Sequence, residues 1–208
     1  MSLQVKVYPY GPLNENTYLI VDENSGFKAI VDPGFYGDIV ANDIGDTNTL
    51  KYIILTHGHF DHIGACIFYK NAYPDAVIVA PEKDKYLIHK DWVKDYLARG
   101  WDVCNCPEPD KYVTENDIIK LGDITISFLD TPGHTEGGMC ILAEDKLFSG
   151  DTLFRLSVGN TSLETGNWDE LVNSINNKLY TLDDDITVYP GHGAVTTIGY
   201  EKRSNPFV

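Results

Sequence analysis

Apolar positions in this chain come in short runs separated by turn-forming residues. VKVYPY and TYLIV, joined by the turn-rich GPLNEN, carry a strand-like pattern from Leu3 to Val21 and predict a first strand pair. FKAIVDPG repeats the idea, an apolar run ending in Asp-Pro-Gly, where proline presets φ and glycine accepts a left-handed backbone. The same punctuation returns in ISFLDTPGH and ITVYPGH, and both of those loops end in histidine. Several loops gathered at one edge of a two-sheet sandwich would build a site. Asp32, in the first of these turns, has no histidine beside it and reads mainly as a turn former, with support of a ligand imidazole as the alternative.

Helical patterns follow the strands. Helices are expected over Gly37–Gly45, over Ile63–Tyr73 with Pro74 as a stop, over Pro81–Arg99 with Gly100 past the end, and over Asn167–Leu179. Strands alternating with helices, without a clean internal repeat, imply a layered α/β arrangement. The aromatics Tyr86, Trp92, Tyr96 and Trp101 read as the apolar face of a helix on the core, the alternative being a wall at the mouth of a site. His89 among them lacks a metal-binding neighbour in sequence and reads as structural.

One stretch changes the picture. YIILTHGHFDHIG sets His57, His59, Asp61 and His62 directly after a β-branched run that reads as a buried strand. Imidazole nitrogen and carboxylate oxygen suit divalent transition metals, and a turn leaving a strand lets alternate side chains converge. His57 and His59 can grip one ion, while Asp61 and His62, where the next helix would begin, point to a second position. Helix capping alone would need one short polar residue and would leave three imidazoles unexplained.

THGHFDHIG resembles the HxHxDH signature of the metallo-β-lactamase fold superfamily, with further matches at His134 in DTPGHTEG, Asp151 in FSGDTLF and His192 in YPGHG. The resemblance implies a four-layer αββα sandwich, two mixed sheets flanked by helices, formed as a single domain over residues 1–208. It also implies a first metal on His57, His59 and His134, a second on Asp61, His62 and His192, and Asp151 bridging both. GDTLF, RLSVGNTSLETGNWDELVNSI and PGHGAVTTIGYEKRSNPF are similar to the short, single-domain members of the glyoxalase II (hydroxyacylglutathione hydrolase) group. Two-domain members append a helical domain whose basic residues hold glutathione carboxylates, whereas only sixteen residues follow His192 here. Arg155, Lys202 and Arg203 are therefore the candidate anion contacts.

Composition narrows the partners. The 208 residues carry 16 basic and 31 acidic side chains, a net charge of -15, which disfavours nucleic acid and anionic bilayers. The first residues, MSLQVKVYPYGP, have no signal-peptide character, no uncharged run reaches membrane-span length, and a cytoplasmic location is expected. Four cysteines are too few for a disulfide framework; Cys66 and Cys140 read as buried, and Cys104 and Cys106 as part of an irregular connection.

The expected chemistry is hydrolysis of a small-molecule thioester by a hydroxide shared between two divalent ions, zinc first, with iron or manganese as alternatives. Asp61 would orient that hydroxide. A thiol of pKa about 8.5 leaves without a general acid, which favours a thioester over an amide. A mononuclear-iron persulfide dioxygenase and a non-catalytic metal-binding module are the competing expectations, and oligomeric state is left open.

Overall fold

The computed structural model describes residues 3–96, 99–100 and 104–208. The first sheet is built in chain order from β1 (Leu3–Tyr10), β2 (Glu15–Asp22), β3 (Lys28–Val31), β4 (Leu50–Ile54), β5 (Val77–Pro81) and β6 (Lys111–Val113). Its first three strands pair antiparallel and the rest parallel. The parallel steps need crossovers, which the helices supply. The second sheet contains β7 (Ile118–Leu121), β8 (Ile124–Asp130), β9 (Met139–Ala143) and β10 (Lys146–Gly150). After the small hairpin of β11 (Leu153–Phe154) and β12 (Ser157–Val158), the chain adds β13 (Thr187–Pro190) and β14 (Thr196–Thr197). The order is β14-β13-β10-β9-β8-β7, with only β10 and β13 parallel.

Three apolar clusters define four layers. Tyr18, Ile20, Val31 and Ile54 of the first sheet meet Phe128, Ile141 and Phe148 of the second in the centre. The alternate residues Leu19, Ile30 and Ile53 face outward onto α1 (Asp38–Ile44) and onto α2 (Phe60–Ile63) and α3 (Cys66–Ala72). Leu147 and Val188 face the other way, onto α6 (Trp168–Asn177) and α7 (Ile198–Ser204). Both faces of each sheet are thus covered, which is why β2 and β3 read as nearly continuous apolar runs. The αββα expectation holds.

Two expected helices are interrupted, both for tertiary reasons. Over Ile63–Tyr73 the break falls at Gly64 and Ala65, because the Ala65 amide donates to the Pro33 carbonyl at 2.9 Å instead of continuing the helical ladder. Over Pro81–Arg99 the chain forms a 3-10 turn at Glu82–Asp84, α4 (Lys85–Ile88) and α5 (Trp92–Tyr96). There the Trp92 indole donates to the Leu87 carbonyl at 2.8 Å and the ring turns into the core. No described helix is long and apolar enough to cross a membrane. Trp101 lies outside the described residues.

Candidate metal centre

The site forms where loops from both sheets meet. β4 ends at Ile54, and the following turn carries His57 and His59 before α2 presents Asp61 and His62. The loop after β8 carries His134, the end of β10 carries Asp151, and the end of β13 carries His192. Glycines let these segments close up. A Cβ at Gly191 would lie 2.2 Å from Asp151 Oδ1 and 2.7 Å from His62 Cε1, so a side chain there would displace the cluster.

The seven side chains named from sequence come together. Ligand atoms of His57, His59 and His134 lie within 4.8 Å of one another, as do those of Asp61, His62 and His192. Asp151 stands between the groups: Oδ1 is 3.4 Å from His62 Nε2, and Oδ2 is 3.4 Å from His134 Nε2 and 3.6 Å from His192 Nε2. Asp61 Oδ2 is 3.4 Å from His192 Nε2.

The far ring nitrogens of four of the histidines are held. Nδ1 of His62 donates to Asp32 Oδ2 at 2.9 Å, Nδ1 of His134 to the Asn160 carbonyl at 2.7 Å, and Nδ1 of His192 to the Leu13 carbonyl at 3.3 Å. Thr56 Oγ1 spends its proton on Asp32 Oδ2 at 2.6 Å, so at 3.1 Å it accepts from His57 Nδ1. These bonds fix the tautomers with Nε2 unprotonated toward the cluster. Asp32, at φ 49°, is therefore both the turn former and the imidazole support.

Three of the inward atoms are not satisfied by protein. His57 Nε2, His62 Nε2 and Asp151 Oδ1 are buried and make no hydrogen bond. Each such orphan costs about 1–3 kcal/mol. Three of them converging beside further carboxylates fit cations well and fit an apolar core badly. Burial holds His57 well below the usual imidazole pKa and brings His59 down to about 3, leaving both rings neutral as ligands must be. Burial also pulls down on His62, but the carboxylates of Asp151, Asp61 and Asp32 outweigh it and raise that ring. Burial would raise Asp151, yet His62 and His134 hold it well below the ordinary carboxylate range. That excess of negative charge is what a metal cation would neutralise.

The cluster opens into a cavity of about 440 Å³ walled by Phe60, Trp92, Tyr96 and Leu163, with Lys90, Arg99 and Glu164 also lining it. Trp92 and Tyr96 thus do both things weighed for the aromatic stripe, packing on the core and walling the mouth. Tyr86 is exposed and donates to Glu164 at 2.6 Å.

Arg155, Lys202 and Arg203 do not line this cavity. After β14 the chain turns into α7 on the outer face of the second sheet, where Lys202 and Arg203 pair with Asp184 at 2.7 and 3.5 Å. Arg155 lies over the Tyr200 ring and borders a different, open depression. The cations at the cluster's mouth are Lys90 and Arg99, which lie over Trp92 and Tyr96. Nothing in the sequence spacing pointed to them, because the broken helix decides which way they face. His89 sits apart from the cluster, bonded to Tyr112 and paired with Glu108. Cys66, Cys106 and Cys140 are buried and Cys104 is partly exposed.

The Metallo-beta-lactamase superfamily matches residues 10–192. The chain belongs to this superfamily. Among its relatives is the hydroxyacylglutathione hydrolase GloC of Haemophilus influenzae, 35% identical over 211 residues, covering 99% of this chain and 98% of that one. The solved BLEG-1 B3 metallo-beta-lactamase superposes with a TM-score of 0.88 at 31% identity, covering 98% and 99% of the two chains. TTHA1623, solved in a di-iron-bound form, superposes at 0.85 with 32% identity, covering 98% and 100%. The metallo-hydrolase character of the superfamily and the His/Asp cluster agree with one another.

Proposed function

We propose that this protein is a dinuclear metal-dependent thioester hydrolase of the hydroxyacylglutathione hydrolase type. The observation that carries it is the convergence of unsatisfied, buried His57, His62 and Asp151 atoms with His59, Asp61, His134 and His192 around one opening. His57, His59 and His134 would hold one ion, Asp61, His62 and His192 a second, and Asp151 would touch both. The GloC relative supports the thioester class, and the di-iron neighbour supports two metals without fixing zinc over iron. Bound there, divalent ions supply Lewis acidity toward a carbonyl and lower the pKa of water.

The chain's own residues do the rest. Asp61, which lines the cavity, would accept a hydrogen bond from the attacking water and orient it toward the acyl carbon. Trp92, Tyr96, Phe60 and Leu163 exclude solvent from the apolar part of the substrate. Lys90 and Arg99 take up an anionic group on it. The leaving thiol, of pKa about 8.5, needs no proton from the protein.

The test combines elemental analysis with a panel of acyl thioesters assayed by free-thiol release, and a chromogenic cephalosporin as comparison. Two metals per chain with thiol release are expected. One iron per chain with oxygen uptake on a persulfide, cephalosporin opening without thioester cleavage, or tight metal with no turnover would each replace this reading.

A further inference from the structure

Asp84 is 1% exposed, lies outside the set of candidate ligands, and accepts three hydrogen bonds. Its Oδ2 receives the Gly58 amide at 2.8 Å and the Thr135 hydroxyl at 2.9 Å, and its Oδ1 receives the Gly137 amide at 2.7 Å. Gly58 is the residue between His57 and His59, and Thr135 directly follows His134. One carboxylate therefore clasps, from behind, both loops that carry the three-histidine group.

The close approach is built in. A Cβ on Gly137 would lie 2.3 Å from the Asp84 nitrogen and 2.6 Å from its Oδ1. A Cβ on Gly58 would lie 2.6 Å from Leu87 Cβ and 2.9 Å from the Ile88 nitrogen, so the Asp84–Ile88 segment seats directly on that glycine. The Gly58 carbonyl is also held, by the Trp92 indole at 3.2 Å.

His192 of the other group has a separate brace on a different strand. Asn16 of β2 donates through Nδ2 to the carbonyls of Pro190 and Gly193, both at 2.9 Å, and through its amide to Gly191 at 2.7 Å. Tyr18 donates to the Pro190 carbonyl at 2.6 Å. These bonds grip the loop carrying His192, and Asp84 makes none of them.

We propose that Asp84 is a positioning residue of the His57, His59 and His134 group, acting on metal capture at that position independently of the Asn16 brace. The proposal rests on the two-position reading of the cluster. Its chemistry is backbone registration: ring nitrogens must stay converged to within a fraction of an ångström for a metal to be held, and two loops tethered to one carboxylate cannot drift apart.

The test isolates each position. His192→Ala weakens the second group, and His57→Ala the first, and zinc affinity is measured in each background by competition with a chromogenic chelator. Asp84→Asn sets an amide nitrogen against one of the three donors. It should lower affinity about tenfold or more in the His192→Ala background and leave it within about twofold in the His57→Ala background. Asn16→Asp should do the reverse. Thr135→Val, which removes one of the three bonds, should give a smaller loss of the same selectivity and keeps the test available if Asp84→Asn does not fold. Equal losses in the two backgrounds, or no loss in the first, would overturn the proposal. If the wild-type chain holds a single zinc however it is loaded, the two-position reading is what fails, and the proposal goes with it.

Discussion

Asp32 Oδ2 lies 2.9 Å from Nδ1 of His62 and also accepts the Thr56 hydroxyl at 2.6 Å, so one oxygen orients His62 directly and His57 through Thr56. The other oxygen receives the Thr56 amide at 2.7 Å. Both histidine groups therefore lean on a residue that is itself buried at 2% exposure.

Asp32→Asn keeps the shape and removes that shared acceptor. The amide that faces His62 can only donate, which drives the ring proton to Nε2, the atom aimed at the cluster. Metal affinity should fall about 10- to 100-fold. Equilibrium dialysis against buffered zinc measures it, and wild-type affinity in the variant would remove Asp32 from any role in tuning the rings.

His59→Ala and His89→Ala separate the cluster from its surroundings. His59 is buried with Nδ1 2.8 Å from His134 Nε2, while the His89 side chain is 43% exposed and bonded to Tyr112. Metal content and thiol release should both be lost in the first variant and both retained in the second. Equal loss in the two would mean that the metal is held elsewhere.

What could be read from sequence follows from where the information lies. The metal cluster was legible because ligand chemistry is carried by residue type, and HGHFDH concentrates it after a strand whose end must lie at a sheet edge. A layered α/β arrangement was legible from apolar runs of strand length alternating with helical patterns, and the four-layer sandwich from the family resemblance of the histidine motif. The broken helix over 81–99 was not, since its interruptions depend on distant partners such as the Gly58 and Gly137 amides, which donate to Asp84. The placement of the candidate anion contacts was hidden for the same reason: a lysine's position in sequence does not say which face of the fold it reaches. Lys202 and Arg203 ended on Asp184, and Lys90 and Arg99 ended at the cavity.

That exchange of cations has a kinetic consequence. Arg99→Gln or Lys90→Gln should raise KM for a thioester bearing a carboxylate about tenfold, the scale of one charge-assisted hydrogen bond, with little effect on a neutral thioester of similar size. Lys202→Gln should change neither. Steady-state rates on the matched pair of substrates decide it. A loss that is the same for charged and neutral thioesters would assign the two residues to the shape of the cavity and not to charge recognition.

In the metal-free protein, acid stability should carry the mark of His59. Burial, followed by the neighbouring His134, brings this ring down to about 3 from its usual 6.5. Below about 6.5 the unfolded chain takes up a proton that the folded protein refuses, so the unfolded state gains as pH falls. The contribution is fully present above the unfolded pKa, is lost progressively between 6.5 and about 3, and is constant below that. Other groups titrate in the same window, with His62 and His192 shifted upward by their carboxylates, so the comparison must be with a variant. His59→Gln leaves an uncharged side chain that cannot take up the proton. Between about pH 7.5 and pH 4 in chelator, the wild-type unfolding free energy from urea titration should fall further than that of His59→Gln. Parallel slopes would show that His59 protonates as readily in the folded protein as in the unfolded chain, and that the ring is not held neutral for a metal.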